Sequence, residues 1–178
     1  KKDDSASGRA KPTSRAPTRK DKAPPRTVGG NLIKNGGFET IIERTKIPLD
    51  WTIGHWGPRG EQWWVRPSRA NPHSGERSIV CNTMNKGATV GASTVVALKP
   101  GTYYLTFWAS TNTEGAARVQ ASVGDELLDA QTIGEEWTRY GGSFDIVIGK
   151  TNIPVKIFSA TDGVGVWFDD VELKRVRR

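Results

Sequence analysis

The sequence predicts an all-β domain, an antiparallel sandwich or barrel, preceded by an extended basic arm. From Asn31 onward, short runs of β-branched and aromatic residues recur between Gly, Pro, Asn and Asp. No window of sufficient length has the periodicity of an amphipathic helix. Residues 1–30 contain only one aliphatic side chain larger than Ala, Val28, and no aromatic ring, so they cannot bury enough apolar surface to fold. We therefore divide the chain into an arm, 1–30, and a domain, 31–178.

The arm carries most of the net charge. Residues 1–30 hold nine Lys/Arg and three Asp, a net +6, whereas the other 148 residues hold 17 basic and 16 acidic side chains. Its prolines and interspersed cations favour an extended conformation. The arm is either a solvated linker or a segment that lies on an acidic partner, a nucleic acid or a neighbouring subunit. The residues assigned to partner binding are Lys11, Arg15, Arg19, Lys20, Lys22 and Arg26. Nucleic acid is the weakest alternative, because the arm has acidic residues and no aromatic ring to stack on bases.

The strands follow one another with turn residues between them. They are predicted near residues 31–34, 36–41, 51–54, 61–66, 77–82, 88–97, 102–110, 116–123, 127–132, 137–148, 153–159 and 164–175. Turns are marked by Gly, Pro, Asn or Asp at 71–72, 74–75, 99–101, 113–115, 124–125, 149–150 and 162–163. Many short strands at this spacing are typical of sandwiches and barrels.

Alternation within two strands indicates which side chains leave the core. Along 102–110, Leu105 and Phe107 are expected inside, which places Tyr104 and Trp108 on the opposite face. Along 116–123, the apolar set is again alternate, which leaves Arg118 and Gln120 outside. Aromatic rings, an amide and a guanidinium are unusual on a merely solvated face. We interpret these four outward residues as one candidate binding face.

Three tryptophans flank a polar loop and are expected to form a rim of that face. They are Trp56, Trp63 and Trp64. Adjacent residues of a strand face opposite sides, so only one member of the Trp63-Trp64 pair is expected at the surface, with the other in the core. The remaining large indoles are assigned to the core, namely Trp51, Trp137 and Trp167.

Five segments, taken in order, resemble a known superfamily. They are Asn31-Leu-Ile-Lys-Asn-Gly-Gly-Phe-Glu39, Trp51, His73-Ser-Gly-Glu-Arg-Ser78, Leu98-Lys-Pro-Gly-Thr-Tyr103 and Val166-Trp-Phe-Asp-Asp-Val-Glu-Leu173. Over about 31–176 the chain resembles the jelly-roll carbohydrate-binding modules of the family 4/9 and family 22 type, which are galactose-binding-like β-sandwiches. The resemblance implies a β-sandwich jelly roll that binds glycan on a concave sheet face.

Glycan binding gives the candidate residues a chemical role. Sugar rings present apolar C–H faces that stack on aromatic rings, and their hydroxyls need amides or charged groups. The residues assigned to glycan binding are Trp56, Trp63, Trp64, Tyr104, Trp108, Arg118 and Gln120.

The resemblance also implies a structural calcium ion, held by Glu39 and Asp169 together with backbone carbonyl groups. Calcium accepts several hard oxygen ligands in a flexible shell. Asp169 is predicted to face the core, because it alternates in phase with Trp167 and Leu173. An inward carboxylate needs a metal or hydrogen-bonding partners. Hydrogen bonding without an ion is the alternative.

An enzyme is not predicted. His55 and His73 lack metal-ligand spacing, and no nucleophile or phosphate-binding motif occurs. Asp169 and Asp170 are adjacent on a predicted strand, so their carboxylates face opposite sides and cannot share a substrate.

We expect an extracellular or particle-surface protein, tethered by its arm to a larger protein or particle. No apolar run approaches the roughly 20 residues of a membrane span. The alternative is a coat or decoration protein of a virus or phage, with the arm anchoring it to neighbouring subunits. The basic arm and the absence of an initial Met, which we interpret as processing or excision, favour that alternative.

Overall fold

Every regular element in the described part of the computed structural model is a β-strand, which confirms the all-β prediction. The structure describes residues 23–56, 62–84, 87–113 and 117–177. The strands are β1 (Thr27–Val28), β2 (Ile41–Ile42), β3 (Ile47–Pro48), β4 (Thr52–Trp56), β5 (Trp63–Ser68), β6 (Ser78–Thr83), β7 (Thr89–Leu98), β8 (Gly101–Thr111), β9 (Ala117–Val123), β10 (Glu126–Leu127), β11 (Gln131–Ile133), β12 (Thr138–Ile146), β13 (Lys150–Ser159) and β14 (Val166–Val176).

Two antiparallel sheets enclose a single core. Sheet I has the order β12-β8-β14-β6-β5, with β1 beside β14. Sheet II has the order β10-β9-β13-β7-β4, with β11 beside β9. Alternate residues of both sheets fill the space between them, among them Phe107, Phe168, Val119 and Ile157, each no more than 1% exposed. The predicted β-sandwich is therefore confirmed.

The start of the domain differs from the prediction. The segments 31–34 and 36–41 are turns rather than strands, apart from the beginning of β2 at Ile41. Asn35 and Phe38 have φ values of 48° and 57°, in the left-handed region, which interrupts an extended strand.

The side chain of Asn31 attaches this opening segment to β14. Its Oδ1 accepts the backbone N–H groups of Ile33 and Leu173, and its Nδ2 donates to the carbonyl oxygen of Val171 at 2.9 Å. The N–H of Val171 in turn donates to the carbonyl of Gly36. The opening and closing motifs are thus bonded to each other across the length of the chain.

A β-bulge in β14 changes the direction of two side chains. The register of β14 against β8 shifts between Asp169 and Glu172, and Asp170 has a φ of 46°. Asp169 therefore points away from the core, on the same side as Trp167. The prediction that Asp169 and Trp167 face the core is wrong for this reason, although Asp169 is fully buried beneath the 73–77 loop.

The root of the predicted arm belongs to sheet I. Thr27 pairs with Val176, and the N–H of Arg177 donates to the carbonyl oxygen of Arg26 at 2.8 Å. Arg26 is the one arm residue assigned to partner binding that the structure describes. The others, Lys11, Arg15, Arg19, Lys20 and Lys22, lie outside the described residues.

Candidate functional site

The outer face of sheet II carries two aromatic rings side by side. In β13, Val155 and Ile157 lie in the core, so Lys156 and Phe158 point outward. Trp56 ends β4 and lies on the same face. The ring centroids of Trp56 and Phe158 are 6.1 Å apart, with the planes inclined by 59°. Both rings are partly buried, so each is supported by the sheet and still reaches solvent.

Two glycines leave the space beside Trp56 free of side chains. Gly54 pairs with Gly91 in β7, and Gly91 pairs on its other side with Phe158. A Cβ at Gly54 would lie 3.9 Å from Cζ2 of Trp56, so this ring lies close to the strand surface. A Cβ at Gly91 would overlap the carbonyl oxygen of Ile157, so glycine is needed for the close approach of β7 to β13. Gly54 and Gly91 therefore form a strip without side chains next to the two rings.

Polar and charged groups surround the two rings. Nζ of Lys156 lies 5.2 Å from the centroid of the Trp56 ring, within cation–π range. Gln120 of β9 is opposite Phe158 in the strand register, and its Nε2 donates to the carbonyl oxygen of Leu128 at 3.2 Å. Arg118 lies two residues earlier in β9 and is exposed. We name the set Trp56, Phe158, Lys156, Gln120 and Arg118 the sheet II face.

The predicted glycan-binding residues do not share one surface. On the sheet II face lie Trp56, Arg118 and Gln120. On the outer face of sheet I lie Trp64, Tyr104 and Trp108. The prediction of a common face for the residues of β8 and β9 is wrong, because β8 belongs to sheet I and β9 to sheet II. The outer faces of a two-sheet sandwich point in opposite directions.

The Trp63-Trp64 pair divides as its alternation predicts. Trp63 packs against the core, with its ring 4.7 Å from that of His55. Trp64 is 40% exposed, and the guanidinium of Arg66 lies 4.7 Å from its ring centroid. The greater part of the predicted rim, residues 57–61, lies outside the described residues.

Trp108 is covered by the chain itself. His73 is stacked on it, with the ring centroids 3.9 Å apart and the planes inclined by 19°. The edge of Trp137 lies 5.5 Å from the same imidazole, and its Nε1 donates to Oδ1 of Asn71 at 3.3 Å. Trp137 is only partly buried, so its assignment to the core is wrong, whereas Trp51 is buried as predicted. The Trp108 ring thus supports the 69–77 segment rather than presenting an open face.

Two carboxylates hold the 73–77 loop through its backbone. Oδ2 of Asp169 accepts the N–H groups of His73 and Ser74 at 2.9 and 3.1 Å. Oε1 of Glu39 accepts those of Glu76 and Arg77 at 3.0 and 3.1 Å. Burial raises the pKa of Asp169 to about 6, against the lowering effect of these amides.

These contacts bear on the implied calcium ion. Both oxygens of Asp169 are occupied by amide donors, since Oδ1 also accepts the N–H of Asp170 at 2.7 Å. Asp170 is bonded to Ser74 Oγ at 2.8 Å and to His73 Nδ1 at 2.7 Å. Among the described residues, no group of three or more His, Cys, Asp or Glu is placed to hold a metal ion. In this arrangement Glu39 and Asp169 serve the 73–77 loop as hydrogen-bond acceptors, and the calcium ion implied at these two residues is left to a calcium titration.

Two residues of the sheet II face were missed in the sequence. Phe158 and Lys156 belong to a predicted strand, 153–159, whose alternate residues are Ile153, Val155 and Ile157. The signal was available, because a phenylalanine on the polar side of a strand is unusual. Alternation within β13 does not indicate that this strand lies between β9 and β7 in sheet II.

The chain was compared with known proteins by sequence. Residues 30–163 match the model of a protein family described as a carbohydrate binding domain. A search of curated proteins found no match. Within the described residues, no helix is long and apolar enough to cross a membrane.

Solved structures share the fold at low sequence identity. The xylan-binding domain CBM22-1 of Paenibacillus barcinonensis Xyn10C superposes with a TM-score of 0.64 and 15% identity, covering 86% of this chain and 99% of that one. TmCBM61 in complex with β-1,4-galactotriose superposes with a TM-score of 0.55 and 20% sequence identity, covering 83% of this chain and 99% of that one. The enzymatically active domain of bacteriophage CBA120 tailspike protein 4 superposes with a TM-score of 0.60 and 16% sequence identity, covering 82% of this chain and 21% of that one. These similarities confirm the jelly-roll fold.

Proposed function

Because the chain belongs to the carbohydrate binding domain family, we propose that it binds a polysaccharide through the sheet II face, without catalysis. The observation that carries this proposal is the pair of rings, Trp56 and Phe158, 6.1 Å apart beside the strip formed by Gly54 and Gly91. Among the proteins of similar structure, one is a xylan-binding domain and another is in complex with β-1,4-galactotriose.

The mechanism is stacking combined with polar contacts. The C–H faces of two neighbouring sugar rings pack on Trp56 and Phe158, which are supported from below by the sheet. The glycine strip admits the chain close to the backbone. Lys156, Gln120 and Arg118 supply donors to hydroxyl or charged groups at the sides. No bond is made or broken, so affinity comes from buried ring area and oriented hydrogen bonds.

The outer face of sheet I suits this role less well. His73 covers one side of Trp108, and Arg139 of β12 is bonded to Glu172 and Thr106 at 3.2 and 3.1 Å. Trp64 remains exposed on this face but has a cation, Arg66, over its ring. The polar side chains named on the outer face of sheet I are therefore bonded to, or stacked on, one another.

The test compares two tryptophans on opposite faces. Wild type, Trp56→Ala and Trp64→Ala are titrated against a panel of neutral and acidic polysaccharides by affinity electrophoresis and calorimetry, with thermal melts to verify folding. We expect Trp56→Ala to weaken binding at least about tenfold, as removal of a central aromatic anchor does, and Trp64→Ala to bind as wild type. Binding that survives Trp56→Ala and is lost in Trp64→Ala would transfer the site to sheet I. No binding by the wild type would refute the proposal.

Attachment through the arm is a second part of the proposal, and an extracellular or particle-surface location goes with it. Its support is the net charge of +6 in residues 1–30 and the fixation of the arm's root, Thr27, to β14. Deletion of residues 1–22 is expected to leave glycan binding intact and to abolish attachment to a larger protein or particle. If the chain is instead a virus or phage decoration protein, the same deletion abolishes its incorporation into particles.

A further inference from the structure

The charges of the sheet II face have one sign. Among the outward side chains that the structure describes on the four strands that form it, two are cations, Lys156 and Arg118, and none is a carboxylate. The others are Thr52, Gly54, Trp56, Thr89, Gly91, Ser93, Val95, Ala97, Gln120, Ser122, Asn152, Pro154 and Phe158. Acidic residues of sheet II, such as Glu126, lie on its edge strand β10.

Both cations are without an acidic partner in the described part of the chain. The salt bridges there involve other residues, such as Arg139 and Lys174, which share Glu172 on sheet I. The ammonium group of Lys156 instead contacts the face of the Trp56 ring. The main-chain N–H of Arg118 donates to Thr161, and its side chain is exposed.

The strand register places the two cations on either side of Phe158 along the strands. Phe158 is opposite Gln120, and Lys156 is opposite Ser122. Arg118 lies two residues beyond Gln120 in the other direction. At about 3.3 Å per residue, the two charged positions lie roughly 13 Å apart along the strands, with Phe158 between them. A polysaccharide that crosses Phe158 along the strands therefore meets a cation before and after this ring.

From this arrangement we infer that the ligand is an anionic polysaccharide, whose carboxylate or sulfate groups pair with Lys156 and Arg118 while its sugar rings stack on Trp56 and Phe158. The inference rests on the proposed function and specifies its ligand class. A neutral polysaccharide would leave both cations unpaired and would gain only neutral hydrogen bonds from them. An anionic one forms charge-assisted bonds, which are shorter and stronger.

The test uses matched polymers that differ in charge alone. Glucuronoxylan, polygalacturonate and alginate are each compared with their carboxyl-reduced derivatives, and dextran sulfate with dextran, at two salt concentrations. The proteins are full-length wild type, Lys156→Gln, Trp56→Ala and the control Lys99→Gln. Lys99 is exposed in the β7–β8 turn, so its removal changes the net charge equally away from the face. The arm is unchanged in every variant, so binding of polyanions by the arm is the same in all four.

We expect at least one acidic polymer to bind more tightly than its uncharged partner. The expected difference is roughly three- to tenfold, which is what two exposed ion pairs contribute together. Lys156→Gln should reduce that difference, because the contribution of the arm is common to all four proteins, and Lys99→Gln should leave the difference unchanged. Added salt should weaken binding of the acidic polymer more than that of the neutral one. The carboxylate and sulfate pairs identify which anion is recognised.

Two results would overturn the inference in distinguishable ways. If each acidic polymer and its uncharged partner bind equally, or Lys156→Gln and Lys99→Gln behave alike, the anionic preference is wrong, while a loss of binding in Trp56→Ala still supports the proposed function. If no polymer of either kind binds the wild type, the proposed function and the inference fail together.

Discussion

His73 is stacked on Trp108, and its imidazole Nδ1 also lies 2.7 Å from Oδ2 of Asp170. The pair links the 73–77 loop to the outer face of sheet I. Trp108 occupies an outward position of β8, where polar side chains are usual. It supports a loop there, because the 69–77 segment folds over its ring.

Trp108→Ala is expected to lower the free energy of unfolding by roughly 2 to 4 kcal/mol, because the His73 ring loses the indole on which it is stacked. Polysaccharide binding should be unchanged. Urea unfolding and affinity electrophoresis measure the two effects separately. Trp64→Ala is the control for stability, since Trp64 is 40% exposed and its removal should cost less. A stable Trp108→Ala protein that has lost binding would contradict the assignment.

Gly91→Ala is expected to destabilise the domain by about 1 to 3 kcal/mol, because the new methyl group overlaps the carbonyl oxygen of Ile157 and pushes β7 away from β13. Gly134→Ala is the matched control, since a Cβ there has no heavy atom within 4 Å. Chemical unfolding of both variants provides the comparison. Equal stability of the two would show that β13 adjusts without cost.

The buried carboxylate of Asp169 predicts a pH dependence. Its pKa is about 6 in the folded protein and 3.8 as the ordinary value, so the folded state binds the proton more tightly. Stability from this group is therefore fully present below pH 4 and is lost as pH rises through about 6, by on the order of 1 to 3 kcal/mol. Thermal melts between pH 4 and 7 should show a decline in stability that is smaller in Asp169→Asn. An identical decline in the variant would assign the titration to another group.

Glu39→Gln and a calcium titration test the ion implied by the sequence resemblance. Since Glu39 and Asp169 already accept amide hydrogens from the 73–77 loop, we expect equal melting temperatures in CaCl₂ and in EDTA. Glu39→Gln should still lower the melting temperature slightly, because an amide oxygen is a weaker acceptor than a carboxylate. A calcium-dependent rise in the wild type that is absent from Glu39→Gln would instead establish the predicted site.

Much of the fold could be predicted within single strands. Phe107 and Leu105 lie in the core, as the alternation of β8 indicates. The predicted strand positions were wrong where a β-bulge or a left-handed residue interrupts that alternation. The bulge at Asp170 turns Asp169 and Trp167 outward, and the left-handed residues Asn35 and Phe38 convert predicted strands into turns. None of these is visible as a period-two pattern.

The sequence by itself determined the all-β class, the resemblance of the opening and closing motifs to a family of carbohydrate-binding modules, and the side of each regular strand that faces the core. Only the tertiary structure decided which outward side chains meet. Trp108 and Arg118 looked like neighbours in the sequence, but β8 and β9 join different sheets. Trp56 and Phe158, about a hundred residues apart, lie side by side. The physical reason is that side-chain alternation is local, whereas strand order is set by hydrogen bonds between distant segments.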